Sequence, residues 1–186
     1  MNIILASKSD RRKQLLELTN YKFQVIYKDV DETINPKNDL KQEIKNIAYK
    51  KAQAVNDNTS IIIGADTFIV IDDIILVKPK DTKDAYDMLS RLSNRKHKVY
   101  TGVAIIYKDV LINWCEEATV YFKELSDKEI LDYIDTKEPM DKAGSYAIQG
   151  KGALFVDRIE GDYYSIMGLP ISKVNTYLNG IHDTII

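Results

Sequence analysis

One carboxylate interrupts the apolar run Ile61-Ile62-Ile63-Gly64-Ala65-Asp66-Thr67-Phe68-Ile69-Val70. Held rigidly in a sheet, a buried carboxylate can serve as general base or metal ligand; the alternative is an aspartate that only bonds turn amides. A second set of reactive groups lies near the start of the chain. Ser7, Ser9, Arg11 and Arg12 fall where a polar loop passes into a helical pattern. Hydroxyls, free helix amides and two guanidinium groups there would cradle a phosphate, unless Ser9 or Asp10 only caps the helix and the arginines are solvated. Lys51 is the third candidate, because it shares an apolar helical stripe with Ala48 and Val55. Its ammonium must snorkel outward, the commoner outcome, or meet an anion. The fourth is Gln149, within a stretch holding Gly144, Gly150 and Gly152. Glycines let backbone amides approach a ligand, and a carboxamide offers the donor and acceptor that reading a nucleobase edge requires.

The elements that must position these groups follow from hydrophobic period and turn chemistry. Asn2 to Ala6 reads as a strand, followed by a helix through Leu15, Leu16 and Leu18. Phe23 to Val30 reads as a strand ending in Asp31-Glu32, with a loop over residues 35–39 capping the next helix. Leu40, Ile44, Ile47, Ala48, Ala52 and Val55 give that helix one buried stripe, with Lys50 on its surface. Gly64 predicts strand, kink, strand, with Asp66 at the bend, since glycine in a strand marks a bulge or a close backbone approach. Asp72-Asp73 reads as a hairpin turn returning Ile74 to Val77, so that Lys78 comes back toward Asp66.

Beyond Lys78-Pro79, Asp81 or Thr82 caps a helix whose core residues are Ala85, Met88, Leu89 and Leu92. Val99–Tyr107, Val110–Trp114 and Ala118–Phe122 read as three strands, with a kink at Thr101-Gly102 in the first. Ser126-Asp127-Lys128-Glu129 is a capping box in front of Ile130, Leu131 and Ile134. Residues 138–152 are too polar for a strand and too irregular for a helix. Ala153–Val156 and Tyr163–Ile166 read as a hairpin about Gly161-Asp162, and Gly168-Leu169-Pro170 starts a helix, Ile171 to Leu178, with Gly180 as its C-cap.

Composition narrows the class. With 186 residues, 45% of them hydrophobic, the chain can bury one sizeable core, and no linker divides residues 1–186. Basic and acidic residues number 26 and 28, so no net field favours duplex nucleic acid or an anionic membrane. One cysteine, Cys115, forms no internal disulfide, two histidines are too few for a histidine metal site, and no signal peptide is legible. A cytoplasmic home is expected. Trp114 and most tyrosines read as core and sheet surface, not as a base-stacking platform.

Taken together, these motifs resemble the Maf family of nucleoside triphosphate pyrophosphatases. The resemblance covers essentially the whole chain and is carried by Leu5-Ala6-Ser7-Lys8-Ser9-Asp10-Arg11-Arg12 with Leu15-Leu16, Gly64-Ala65-Asp66-Thr67, Lys78-Pro79, Thr101-Gly102-Val103, Glu138-Pro139-Met140-Asp141-Lys142-Ala143-Gly144, Ile148-Gln149-Gly150 and Gly168-Leu169-Pro170. It implies a single two-lobed α/β domain of the Maf/ITPase-like kind, with a long bent mixed sheet flanked by helices around a central cleft. The implied reaction takes a nucleoside triphosphate to the monophosphate and pyrophosphate with a divalent cation, Mg²⁺ or Mn²⁺, and the implied assembly is a homodimer.

Position by position, the resemblance makes Asp66 the catalytic acidic residue and Lys51 and Lys78 the phosphate-facing lysines. Ser7, Arg11 and Arg12 match the N-terminal phosphate-binding segment. Arg11, Thr67 and Gln149 match the set associated with dTTP and UTP, whereas the 7-methyl-GTP type has Gly-Ser-Asp-Gln in place of Gly64-Ala65-Asp66-Thr67. Glu32 is expected as a second carboxylate beside the metal. Two positions depart from the pattern: Asp10 replaces a proline, and Val77 stands where many members have glycine. Asp10 either weakens triphosphate binding or lends the metal a ligand.

Three rival readings differ in what they predict. Cleavage of damaged purine or modified pyrimidine triphosphates would appear in substrate competition. A regulator of septum formation would bind nucleotide without turnover. Nucleic-acid binding would need a basic stripe that this sequence lacks.

Overall fold

Short apolar runs alternating with amphipathic stretches build a mixed α/β protein in the computed structural model, which describes residues 2–35 and 38–185. Pro36 and Lys37 of the expected loop lie outside the described residues. Among the described residues seven strands form one mixed sheet, in the order β2 (Gln24–Val25), β1 (Ile3–Leu5), β3 (Ile61–Ile71), β5 (Lys96–Tyr107), β6 (Val110–Phe122) and β7 (Val156–Glu160), with β4 (Ile74–Leu76) paired to β3. Contacts divide the chain into two compact units, Met1–Asp66 with Thr101–Glu116 and Gly168–Ile186, and Thr67–Tyr100 with Glu117–Met167. Among the described residues no helix is long and apolar enough to cross a membrane.

The first unit begins with β1 (Ile3–Leu5), α1 (Asp10–Glu17), β2 (Gln24–Val25), α2 (Leu40–Gln53) and the start of β3 (Ile61–Ile71). β1 lies parallel to β2, pairing Ile4 with Gln24, and parallel to β3, pairing Ile3 with Ile61. Parallel neighbours require crossovers, which α1 and α2 supply. One core cluster joins Ile4, Ala6, Ile62, Ala104 and Ile106 to Ala48, Ala52 and Val55. Alanines on α2 bring the helix close to the sheet, where burying each isoleucine stabilises by about 1.5–3 kcal/mol.

The closest approach falls at Gly64. A Cβ there would stand 2.3 Å from the Ala48 carbonyl oxygen and 2.7 Å from the Ala52 nitrogen. Gly102, on β5, meets the Ile44 carbonyl in the same way at 2.6 Å. Both glycines are therefore seats for α2, and neither predicted kink forms. β3 runs unbroken through Gly64 and Asp66, and β5 (Lys96–Tyr107) runs unbroken through Thr101 and Gly102.

Other sequence expectations also change. Only Gln24 and Val25 of the expected strand over residues 23–30 pair; Val25, Ile26 and Tyr27 are exposed. Leu18 is the C-cap of α1 and is likewise exposed. β6 (Val110–Phe122) is one strand where two were expected, because Cys115, Glu116 and Glu117 continue its ladder. The last helix, α6 (Ile171–Ile185), passes through Gly180 without stopping, and a Cβ at Gly180 would meet nothing within 4 Å.

In the second unit Asp72 and Asp73 take φ values of 52° and 59°, the turn that matches hairpin twist, and join β3 to β4 (Ile74–Leu76). Asp81 caps α3 (Thr82–Leu92) by accepting the Asp84 amide at 2.8 Å, and Ala85, Met88, Leu89 and Leu92 are buried as expected. The Ser126–Glu129 capping box forms at the start of α4 (Asp127–Asp135), which buries Ile130 and Ile134 but leaves Leu131 exposed.

The expected hairpin about Gly161-Asp162 is replaced by two other elements. β7 (Val156–Glu160) pairs antiparallel with β6, and α5 (Tyr163–Met167) follows. Asp162 is the cause, since its carboxylate accepts the amides of Tyr164 and Ser165 at 3.1 and 3.0 Å and starts a helix. Residues 138–155 contain three short 3₁₀ turns.

Candidate active site

Five of the predicted side chains converge in the first unit. The Ser9 hydroxyl caps α1 by accepting the Arg12 amide at 3.4 Å, which turns the Arg12 side chain inward. Arg12 is buried, so the solvated reading of the arginine pair does not hold for it. Its Nε donates to the Gly168 carbonyl at 2.9 Å and its Nη1 to the Ser7 hydroxyl at 3.2 Å. Nη2 stands 3.7 Å from Asp66 Oδ1. Burial pushes the guanidinium below its ordinary value, Asp66 opposes that shift, and the charge of Arg11 adds to it.

Lys51 completes the arrangement from α2, meeting anions rather than snorkelling. Its Nζ lies 3.0 Å from Asp66 Oδ1 and 2.8 Å from Glu32 Oε1. The side chains of Lys51 and Asp66 are 14% and 12% exposed, that of Glu32 54%. Asp66 sits within a regular strand and pairs with Lys51 and Arg12, so the turn-amide reading does not describe it. A buried charge is tolerable only when paired, and here two cations offset two carboxylates.

This pairing is chemically labile in a useful way. A polyphosphate would compete with Asp66 for Lys51 and Arg12, leaving the carboxylate free to hold another polar group. Among the described residues no three His, Cys, Asp or Glu side chains cluster as a ready-made metal site. The donor set still suits a hard cation, because Asp66 and Glu32 already direct oxygens at one positive centre, the Lys51 ammonium. Mg²⁺ characteristically uses one or two carboxylates together with substrate phosphates.

The remaining candidates are placed as follows. Arg11 is half-buried in the first turn of α1, and Asp10, beside it, is exposed. An acidic residue in that first turn complements the helix dipole. Thr67, Lys78 and Gln149 belong to the second unit. Thr67 is half-buried in β3; Lys78 is exposed two residues past Leu76, which pairs with Ile69. Gln149 is exposed at a bend, and the exposed Val77 gives its carbonyl to the Gly144 amide at 3.1 Å.

Sequence reasoning assigned no role to Tyr133, to Glu138 or to the His97–Tyr146 pair, whose His97 Nε2 lies 2.7 Å from the Tyr146 hydroxyl. Glu138 binds backbone amides, which carry no residue-type signal. His97 and Tyr146 lie 49 positions apart in the chain, and no local pattern links them.

A mixed sheet flanked by helices, carrying a buried carboxylate paired with lysine and arginine, defines an α/β protein. The fold is that of the Staphylococcus aureus Ham1 protein and of a HAM1 protein from Coxiella burnetii, each matched at TM-score 0.51 with 13% identity over 97% of this chain and 99% of that one. The sequence pattern of the Maf-like protein family matches residues 2–181, and the chain belongs to that family. It is 50% identical to a dTTP/UTP pyrophosphatase of Bacillus cytotoxicus and to one of Bacillus cereus, in each case over 92% of this chain and 91% of the relative.

Proposed function

We propose that this protein hydrolyses dTTP and UTP to their monophosphates and pyrophosphate. The relatives named dTTP/UTP pyrophosphatase support the substrates, and one observation supports the chemistry: Asp66 is buried in a regular strand with Lys51 and Arg12 as its partners. Binding of the triphosphate draws those cations onto phosphate oxygens, with Ser7, Arg11 and Lys78 as further donors. Asp66 then orients a water and takes its proton as the oxygen attacks the α-phosphorus. The bond from that phosphorus to the bridging oxygen breaks, and pyrophosphate leaves with the electron pair.

Asp66 and Glu32 would hold a Mg²⁺ or Mn²⁺, which supplies charge neutralisation at the phosphates. Thr67 and Gln149 read the uracil or thymine edge, and indifference to the ribose 2′ position admits both substrates. A homodimer completes the reading, and sedimentation at working concentrations tests it.

The deciding experiment is pyrophosphate release from canonical and modified nucleoside triphosphates with each metal, run beside Asp66→Asn. UTP and dTTP are expected to lead, and the variant to lose at least about 100-fold in turnover, the usual worth of a general base. Near-normal turnover by Asp66→Asn would remove the base assignment, and leading turnover of purine triphosphates would remove the substrate assignment.

A further inference from the structure

Glu138 gathers partners from two separate parts of the second unit. Tyr133, in the last turn of α4, donates its hydroxyl to Glu138 Oε1 at 2.9 Å. The Lys151 amide donates to Oε2 at 3.2 Å and the Gly152 amide to Oε1 at 3.3 Å. The same Tyr133 hydroxyl accepts the Ala147 amide at 3.2 Å. Two side chains thus pin the backbone at 147 and again at 151 and 152, leaving only Ile148, Gln149 and Gly150 between the pins.

That short span is itself constrained. Ile148 is buried, and Gly150 lies so close to the carboxylate that a Cβ would stand 2.6 Å from Glu138 Oε1. Tyr133 is fixed in turn by its edge-to-face contact with Phe155, at 4.9 Å between ring centroids. Gln149 carries the exposed side chain of a loop hydrogen-bonded at both ends.

We propose that Tyr133 and Glu138 form a clasp that positions Gln149 and so sets the depth at which the base edge is read. The proposal rests on the reading of Gln149 as a base-contacting residue. A carboxamide can match the edge of more than one base, so residue type alone does not choose between a pyrimidine and a purine. Distance does, because a purine edge extends farther from the ribose. A reading group must be held within about 0.5 Å of its productive position to use that difference. Backbone pinned by a carboxylate and a phenol meets this need, and it does so before ligand arrives.

The test compares Glu138→Gln, Tyr133→Phe, Gln149→Ala and the Glu138→Gln/Gln149→Ala double variant, with UTP and GTP as substrates and tripolyphosphate as a base-free inhibitor. Gln at 138 keeps the size but places a carboxamide NH₂ donor where one backbone amide needs an acceptor, while Phe at 133 keeps the ring contact. Each clasp variant is expected to lower the UTP-over-GTP ratio of kcat/KM by about 10-fold, through KM for UTP, as the loss of roughly one hydrogen bond implies. Tripolyphosphate inhibition should stay unchanged, and the double variant should discriminate no worse than Gln149→Ala.

Thermal unfolding separates misfolding from misplacement, since a merely structural clasp lowers Tm and leaves the substrate ratio alone. If Gln149→Ala shifts the ratio while neither clasp variant does, the clasp is overturned. If Gln149→Ala leaves the ratio intact, the base-contact reading of Gln149 falls, and the clasp proposal with it.

Discussion

Asp66 is a carboxylate held by two polar groups and Glu138 one held by three, and the kinds of partner differ. Asp66 faces Lys51 and Arg12, long side chains whose charge can be transferred to another anion. Glu138 faces two backbone amides and a phenol hydroxyl, none of which can leave without unravelling the loop. Exchangeable partners suit a group that must change its task when substrate arrives. Fixed partners suit a group whose task is to keep something still. A carboxylate's role is therefore written less in its own burial than in the mobility of its donors.

The comparison breaks most sharply at Lys51. Lys51→Met removes the cation shared by Asp66 and Glu32, and turnover with saturating UTP should fall by about 100-fold or more, the cost of losing one preorganised charge. Glu138→Gln acts mainly on KM, so steady-state kinetics of the two variants should separate into a kcat defect and a KM defect. A shared pattern in both variants would erase the distinction between exchangeable and fixed partners.

A smaller effect is expected from the support beneath the exchangeable cluster. Lys51 reaches Asp66 from α2, which sits directly on β3 at Gly64, where no side-chain atom fits. Gly64→Ala forces a methyl against the Ala48 carbonyl, and overpacking of this kind costs about 1–3 kcal/mol. Urea unfolding should record that loss, with a fall in turnover as Lys51 is displaced. An unchanged midpoint would mean that the helix adjusts freely and that close seating does not hold the cluster.

These partners explain what could be read from sequence. Caps and boxes at Asp81 and Ser126 were legible because a side chain bonds an amide three residues away. Lys51 was visible as a polar residue on an apolar stripe, and Asp66 as a charge within a strand. The outcome for Lys51 was not visible, since its partners come from positions 32 and 66. Gly64 and Gly102 were misread as kinks because a glycine that yields space to a helix looks the same in sequence as one that bends a strand. The hairpin expected around Gly161 failed because Asp162 can start a helix as readily as a turn.

His97 sharpens the comparison from the side of fixed partners, because it is buried, polar and uncharged. Its Nε2 shares a 2.7 Å hydrogen bond with the Tyr146 hydroxyl, Nδ1 has no hydrogen-bond partner among the described residues, and Phe122 and Tyr146 pack edge-on at 5.0 and 5.4 Å. Burial pushes this imidazole from its ordinary 6.5 down to about 3. The unfolded chain therefore takes up a proton near pH 6.5, while the folded chain stays neutral until near pH 3. Stability is complete above 6.5 and declines as pH falls, by about 1.4 kcal/mol per pH unit, so roughly 2 kcal/mol is lost between pH 6.5 and 5.

Carboxylates with depressed values do not obscure this window. Asp57 and Glu129, each held down to about 2 chiefly by hydrogen bonds, lose their contribution only below the ordinary carboxylate range. Chemical denaturation at pH 7.5, 6.5 and 5 should show the decline in the natural protein and its absence in His97→Gln. A flat profile in the natural protein would mean that His97 accepts its proton while folded, and that the second unit, like the first, can hold charge in its interior.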